Sequence, residues 1–268
     1  MAATPVRARL LLLESPLQSL APLAGDQRRL EFGSAYFGAH TWAGYRHQLR
    51  YAGSRGDALS WSLTLPWLYS SYANGGRGGR DNLLLGAGLR LAGGEGVRLR
   101  LGGELWLPFA DAALAPLGER RAFGRATLLL ASSSGSRPGF QAAFSYRGEL
   151  VGLGPETEDA AWPERMDLES RLARQPAVGA GFFLAGGAAV QASEDLQAAW
   201  LGGGLGVNWG DTYCMELGGE AWFGAQDEPG RPDYRVHFRL RRDLSLATTA
   251  TPAEGDPGAG GIPPLGSP

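Results

Sequence analysis

The chain has 268 residues, 27 acidic and 25 basic, for a net charge of −2. That balance gives a nucleic-acid partner no electrostatic support. A single cysteine, Cys214, excludes an internal disulfide and a cysteine-based metal cluster, and the three histidines (His40, His47 and His237) are too scattered to suggest a metal site. Apolar residues make up 44% and charged ones 19%, so the body is not disordered by composition. Every basic side chain is arginine and glycine reaches 42 residues, a bias that a GC-rich genome explains.

At the N-terminus, Arg7 and Arg9 precede Leu10–Leu13, as at the start of a signal peptide, and small residues follow near Leu20–Ala24. Glu14 interrupts the apolar stretch. Residues 1–29 are therefore read as a leader or an N-terminal periplasmic segment. Leu10–Leu13 is also the purest apolar run, far short of a transmembrane helix. If this chain crosses a membrane, it crosses with strands.

Twelve strands are predicted, most about ten residues or longer, the length of a tilted membrane strand. The first two are Leu30–Trp42 and Gly44–Tyr51. In the third, Ala58–Tyr69, Leu59, Trp61, Leu63 and Leu65 alternate with Ser60, Ser62 and Thr64. The fourth is Asn82–Ala92. The fifth, Val97–Leu107, sets Val97, Leu99, Leu101, Leu105 and Leu107 against Arg98, Arg100 and Glu104. The sixth is Arg120–Ser132. The seventh, Phe140–Val151, opposes Phe140, Phe144 and Tyr146 to Gln141, Ser145, Arg147 and Glu149. The eighth, Glu164–Leu172, reads as a strand or a short helix. The ninth is Ala177–Val190. The tenth, Leu196–Trp209, changes phase near Trp200–Leu201, which suggests a bulge. The last two are Thr212–Ala225 and Asp233–Leu244.

The twelfth strand is the clearest. Tyr234–Arg241 reads Tyr-Arg-Val-His-Phe-Arg-Leu-Arg, one face apolar and the other basic. So many half-apolar strands exceed what one soluble core needs. They suggest an all-β, transmembrane, antiparallel up-and-down barrel over residues 30–244, apolar outside and polar within. Connection lengths agree: short at 53–56, 93–96, 133–139, 173–176 and 210–211, and mostly longer at 70–81, 108–119, 152–163 and 226–232. Outer-membrane barrels have short periplasmic turns and longer external loops, and an even strand count returns the chain to the periplasm. Aromatic residues gather near strand ends, at Trp42 and Tyr45, Trp67 and Tyr69, Trp106 and Phe109, Trp209 and Tyr213, and Trp222 and Phe223, as interface girdles would place them. Residues 245–268 lose periodicity and read as a disordered tail. Gly202–Gly206 lacks the Lys-Ser/Thr ending of a phosphate loop and fits close backbone approach or strand bending instead.

Several segments resemble the outer-membrane barrel family named for the meta pathway of phenol degradation, whose members are called transporters. They are Leu63-Thr64-Leu65-Pro66-Trp67-Leu68-Tyr69, Gly78-Gly79-Arg80-Asp81-Asn82-Leu83-Leu84-Leu85-Gly86, Glu104-Leu105-Trp106-Leu107-Pro108 and Leu217-Gly218-Gly219-Glu220. Coverage runs from about Leu59 to Phe223. The resemblance implies a small outer-membrane barrel of a Gram-negative bacterium that passes small hydrophobic or aromatic solutes. It carries over no catalytic residues.

The alternation places Arg46, Arg50, Arg90, Arg98, Arg100, Glu104, Arg147 and Glu149 inside. It also places Asp167, Glu169, Arg171, Glu216, Glu220, Arg235, His237, Arg239 and Arg241 there. Such charge density is tolerable only in water or in mutual pairs. One reading is an arginine-lined, porin-like path that favours anions. The plainer one is that these groups pair across the lumen and select nothing. Cys214 reads as a small inward filler. The expected partners are outer-membrane lipid, the barrel-assembly machinery and an unidentified small solute, with no cofactor. A non-transporting structural or surface-interaction barrel is the alternative. A lipase-type barrel lacks a Ser/His pairing with a neighbouring Asn motif, and a soluble β sandwich would leave its charged rows on two outer surfaces.

Overall fold

Alternation of branched or aromatic side chains with polar ones favours extended backbone, and only neighbouring strands can satisfy its amides. The computed structural model describes residues 17, 26–39, 43–71, 76–94, 96–111, 121–134, 137–152, 165–174, 179–191, 197–209, 212–224 and 232–244. The strands are β1 (Arg28–Gly38), β2 (Ala43–Arg55), β3 (Leu59–Ser70), β4 (Arg77–Arg80), β5 (Leu83–Gly93), β6 (Val97–Leu107) and β7 (Arg121–Ser134). They continue as β8 (Arg137–Gly152), β9 (Arg165–Arg174), β10 (Gly179–Gln191), β11 (Gln197–Trp209), β12 (Tyr213–Gly224) and β13 (Tyr234–Leu244).

Each strand runs antiparallel to its neighbours, β1 pairs with β13, and the β2–β3 pairing closes the ring. β4 and β5 lie end to end along one edge of β3, so the wall is a closed barrel of twelve strand positions. The eighth predicted segment, read as a strand or a short helix, is a strand, β9, over Arg165–Arg174. The strand ends joined by short connections, Arg55 and Leu59, Gly93 and Val97, and Ser134 and Arg137, gather at one end of the barrel, and those joined by longer ones, Leu107 and Arg121, and Gly152 and Arg165, at the other. These are called the short-turn end and the long-loop end. At the β2–β3 turn Gly56 has φ of 57°, a left-handed conformation that glycine adopts without a Cβ penalty, and its N–H donates to Asp26 Oδ1.

The outside is apolar. Leu65, Leu101, Phe144, Leu168, Leu184, Leu205, Leu217 and Val236 are all exposed, on eight different strands. The inside holds the buried arginines and carboxylates. This inverts a soluble barrel, and it is the surface a lipid bilayer requires.

The structure corrects four readings. Trp106 and Trp222 do not join an interface girdle: they are 1% and 9% exposed and point inward. Trp106 packs with Leu84 and Phe123, and Trp222 with Trp200 and Ala198. There is no bulge at Trp200–Leu201, because β11 keeps a continuous register with both neighbours. The apparent phase change arises because Trp200 faces inward against Trp222, ring centroids 6.1 Å apart. The register shifts fall instead at Arg90/Ala92, Ala122/Phe123 and Ser132/Ser134. Finally, the connection read as 70–81 contains β4, and the first strand begins at Arg28 rather than Leu30. The leader at Arg7–Leu13, His40, Trp42 and the tail at 245–268 lie outside the described residues.

Candidate functional site

Inward positions on β12 and β13 bring acidic and basic rows face to face. Glu216 pairs in register with Arg239, and Glu220 with Arg235. Arg235 and Glu220 form a buried ion pair. Glu216 is a hub: Arg171 Nη2 lies 2.5 Å from Oε2, and His237 Nε2 and Arg239 Nη1 lie 3.5 and 3.7 Å from Oε1. Arg239 Nε also reaches Glu31 Oε1 at 3.1 Å, which ties β13 to β1.

Arg171 comes from β9, with β10 and β11 lying between it and Glu216 on β12. It crosses that wall because the wall is thin. Phe183 pairs with Gly204, Gly204 with Gly218, and Gly218 with His237. Two side-chain-free positions let the Phe183 and His237 rings approach to 6.0 Å, and the Arg171 guanidinium lies 4.1 Å above the Phe183 ring. A Cβ at Gly204 would run into Phe183 and the Leu217 carbonyl, and one at Gly218 into Phe183 and His237. The glycine-rich stretch of β11 is thus close backbone approach, as its sequence suggests.

Across the barrel, Glu104 on β6 accepts from Arg125 Nε at 2.5 Å, and that guanidinium sits 5.0 Å from the Trp106 ring. Arg46 Nη2 lies 3.4 Å from Asp81 Oδ2, where Asp81 occupies the break between β4 and β5. Nearer the short turns, Arg100 donates to Ser60 Oγ at 3.1 Å and Arg90 lies 3.5 Å from Asp57. Arg98 is half-buried beside them. Arg241 approaches Asp243 at 3.8 Å. Arg50, Arg147, Asp167 and Glu169 are buried on the inner face. The side chain of Glu149 is outside the described residues. Cys214 is buried on the same face.

Sequence reasoning missed four groups here. Glu31 alternates with the outward Leu30 and Phe32, so its signal was present. Arg125 sits in a strand whose Leu128–Leu129–Leu130 run hides its phase. Arg165 begins its strand. Leu17, helical and 5% exposed, packs against Leu129 and Ala143, so a residue ahead of the barrel lies within it.

No protein-family model matches the chain, and no curated protein does either. Solved structures do. An outer membrane channel from Pseudomonas putida F1 matches with a TM-score of 0.67 at 12% identity, over 87% of this chain and 100% of its own. The NanC porin matches with a TM-score of 0.58 at 9% identity, over 81% of this chain and 100% of its own. The likeness is to outer-membrane barrels. The β domain of the Bordetella autotransporter BrkA also matches, with a TM-score of 0.51 at 14% identity over 82% of this chain and 99% of its own. One architecture therefore serves a channel, a porin and an autotransporter, and at these identities the likeness concerns the fold alone.

Proposed function

We propose that the chain is an outer-membrane channel for passive passage of small solutes, with an arginine-rich lumen that favours anions over cations. The observation that carries this reading is the enclosure of ionic side chains by an apolar exterior. Two of the neighbours by fold are described as a channel and a porin, which supports it. Among the described inward residues, arginines on β2, β5, β6, β7, β8, β9 and β13 outnumber the carboxylates, so the field inside is positive. Membership of the phenol-degradation family, with hydrophobic or aromatic cargo, rests on the short motifs between Leu59 and Phe223.

The test is conductance in planar bilayers under a salt gradient. The expected result is discrete channels with a reversal potential of anionic sign. Correctly folded barrel that leaves bilayers sealed would remove the channel reading.

A second reading, a barrel that does not transport, is favoured by the plugging contacts. Leu17 packs on the lumen wall and Arg171 reaches across to Glu216. Under that reading the bilayers stay sealed, and loss of the chain changes surface properties or membrane integrity rather than uptake.

A further inference from the structure

Arg125, Arg147 and Arg165 stand in direct cross-strand register: Arg125 faces Arg147 across β7–β8, and Arg147 faces Arg165 across β8–β9. Like charges opposite one another repel. The outer two are each paired with a carboxylate, Arg125 with Glu104 and Arg165 with Asp167. The central one is different. Arg147 is 3% exposed and forms no ion pair among the described residues, and its Nη2 is buried without a hydrogen-bond partner. The carboxylate that offsets part of its charge, Asp167 in the next inward row, is already held by Arg165, and a buried guanidinium without an ion pair of its own is unfavourable.

The next inward row toward the short turns adds an independent observation. Thr127 faces Ser145, the two are 1% and 0% exposed, and both hydroxyl oxygens lack a hydrogen-bond partner. One row further, Leu129, Ala143 and Leu17 form an apolar patch, flanked in register by Arg100 on β6 and Glu169 on β9. Three unsatisfied donors thus converge on one band of wall, above apolar packing.

We propose that this band is a binding subsite for a small oxyanion, a carboxylate or a phosphate. Arg147 Nη2 donates to one oxygen of such a group, and the Thr127 and Ser145 hydroxyls donate to it. With Glu104 and Asp167 offsetting Arg125 and Arg165, the surplus positive charge of the row is that of Arg147. Asp167 faces Ser145 across β8–β9, so the anion is held toward the β7 side of the band. The row lies in the long-loop half of the barrel, where a solute entering from that end meets it before the Leu129 patch. The subsite rests on the channel reading only for access of the solute.

The experiment is thermal unfolding of the folded barrel in detergent at constant ionic strength, with chloride exchanged stepwise for acetate or for phosphate. The melting temperature rises with at least one oxyanion, and which one identifies the head group. R147Q melts above the wild type in chloride, because its repulsion is gone, and loses the oxyanion response. T127V, nearly isosteric, weakens the apparent affinity roughly tenfold. R174Q, an exposed arginine on the same strand as Arg165, keeps the full response. A wild type indifferent to both oxyanions, or R147Q and T127V responding as the wild type does, would overturn the subsite. Conductance without an oxyanion response sinks the subsite and leaves the channel. An oxyanion response with sealed bilayers sinks the channel and leaves the subsite.

Discussion

Glu216 shows most directly how single residues hold the lumen together. It receives Arg171 from β9 and Arg239 and His237 from β13, so its charge is shared by groups on both sides of it. Removing one member of a buried pair leaves the other uncompensated, so Glu216→Gln should cost roughly 3 kcal/mol of stability. The measurement is urea-dependent unfolding from lipid vesicles followed by gel mobility. A loss below about 1 kcal/mol, the range of exposed pairs, would mean that water already screens these charges. Part of this hub was legible beforehand. Two strands adjacent in sequence, one carrying Glu216 and Glu220 and the other an arginine row, must face each other in a hairpin. The Arg171 contact was not legible, because periodicity assigns a face but not a reach across two intervening strands.

At the scale of elements, glycines and aromatics decide how strands fit. Gly218 lies where a Cβ would meet both Phe183 and His237, so Gly218→Val should destabilise the barrel by about 2 kcal/mol through overpacking. Val at Gly103, where a Cβ would meet nothing, should leave stability nearly unchanged in the same assay. On the outer face, Leu101 sits near the middle of β6 and is 46% exposed. Leu101→Arg should cost roughly 3 kcal/mol in folding titrations into vesicles, as lipid-facing charges at mid-depth do. A neutral result would place water, not lipid, at that surface. The strand faces were readable wherever apolar and ionic residues alternate, as in Val97–Leu107 and Tyr234–Arg241. They were unreadable where both faces are apolar or small. Trp106, Trp200 and Trp222 point inward although tryptophan favours the membrane interface, because an aromatic side chain alone does not reveal its face. Arg77–Arg80 escaped notice because Arg-Gly-Gly-Arg has no alternation to read, and only pairing with Trp67–Ser70 makes it a strand.

The whole molecule rests on the closure that β1–β13 and β2–β3 complete. Closure leaves no sheet edge, so every strand can face hydrocarbon without unsatisfied amides. An even count of strand positions and a consistent loop polarity were both visible in the sequence. Leu17 inside the barrel was not, since only the folded wall gives it Leu129 and Ala143 to pack against. The most direct test places nitroxide labels at Leu65→Cys, Leu101→Cys, Phe144→Cys and Leu205→Cys in a Cys214→Ser background and reconstitutes each in bilayers. These positions lie on four strands spread around the wall, and all four side chains are exposed. Relaxation by oxygen, which concentrates in lipid, should exceed relaxation by a water-soluble nickel chelate at every one. Labels that are immobilised and shielded from oxygen, or that respond chiefly to nickel, would contradict an apolar exterior meeting lipid.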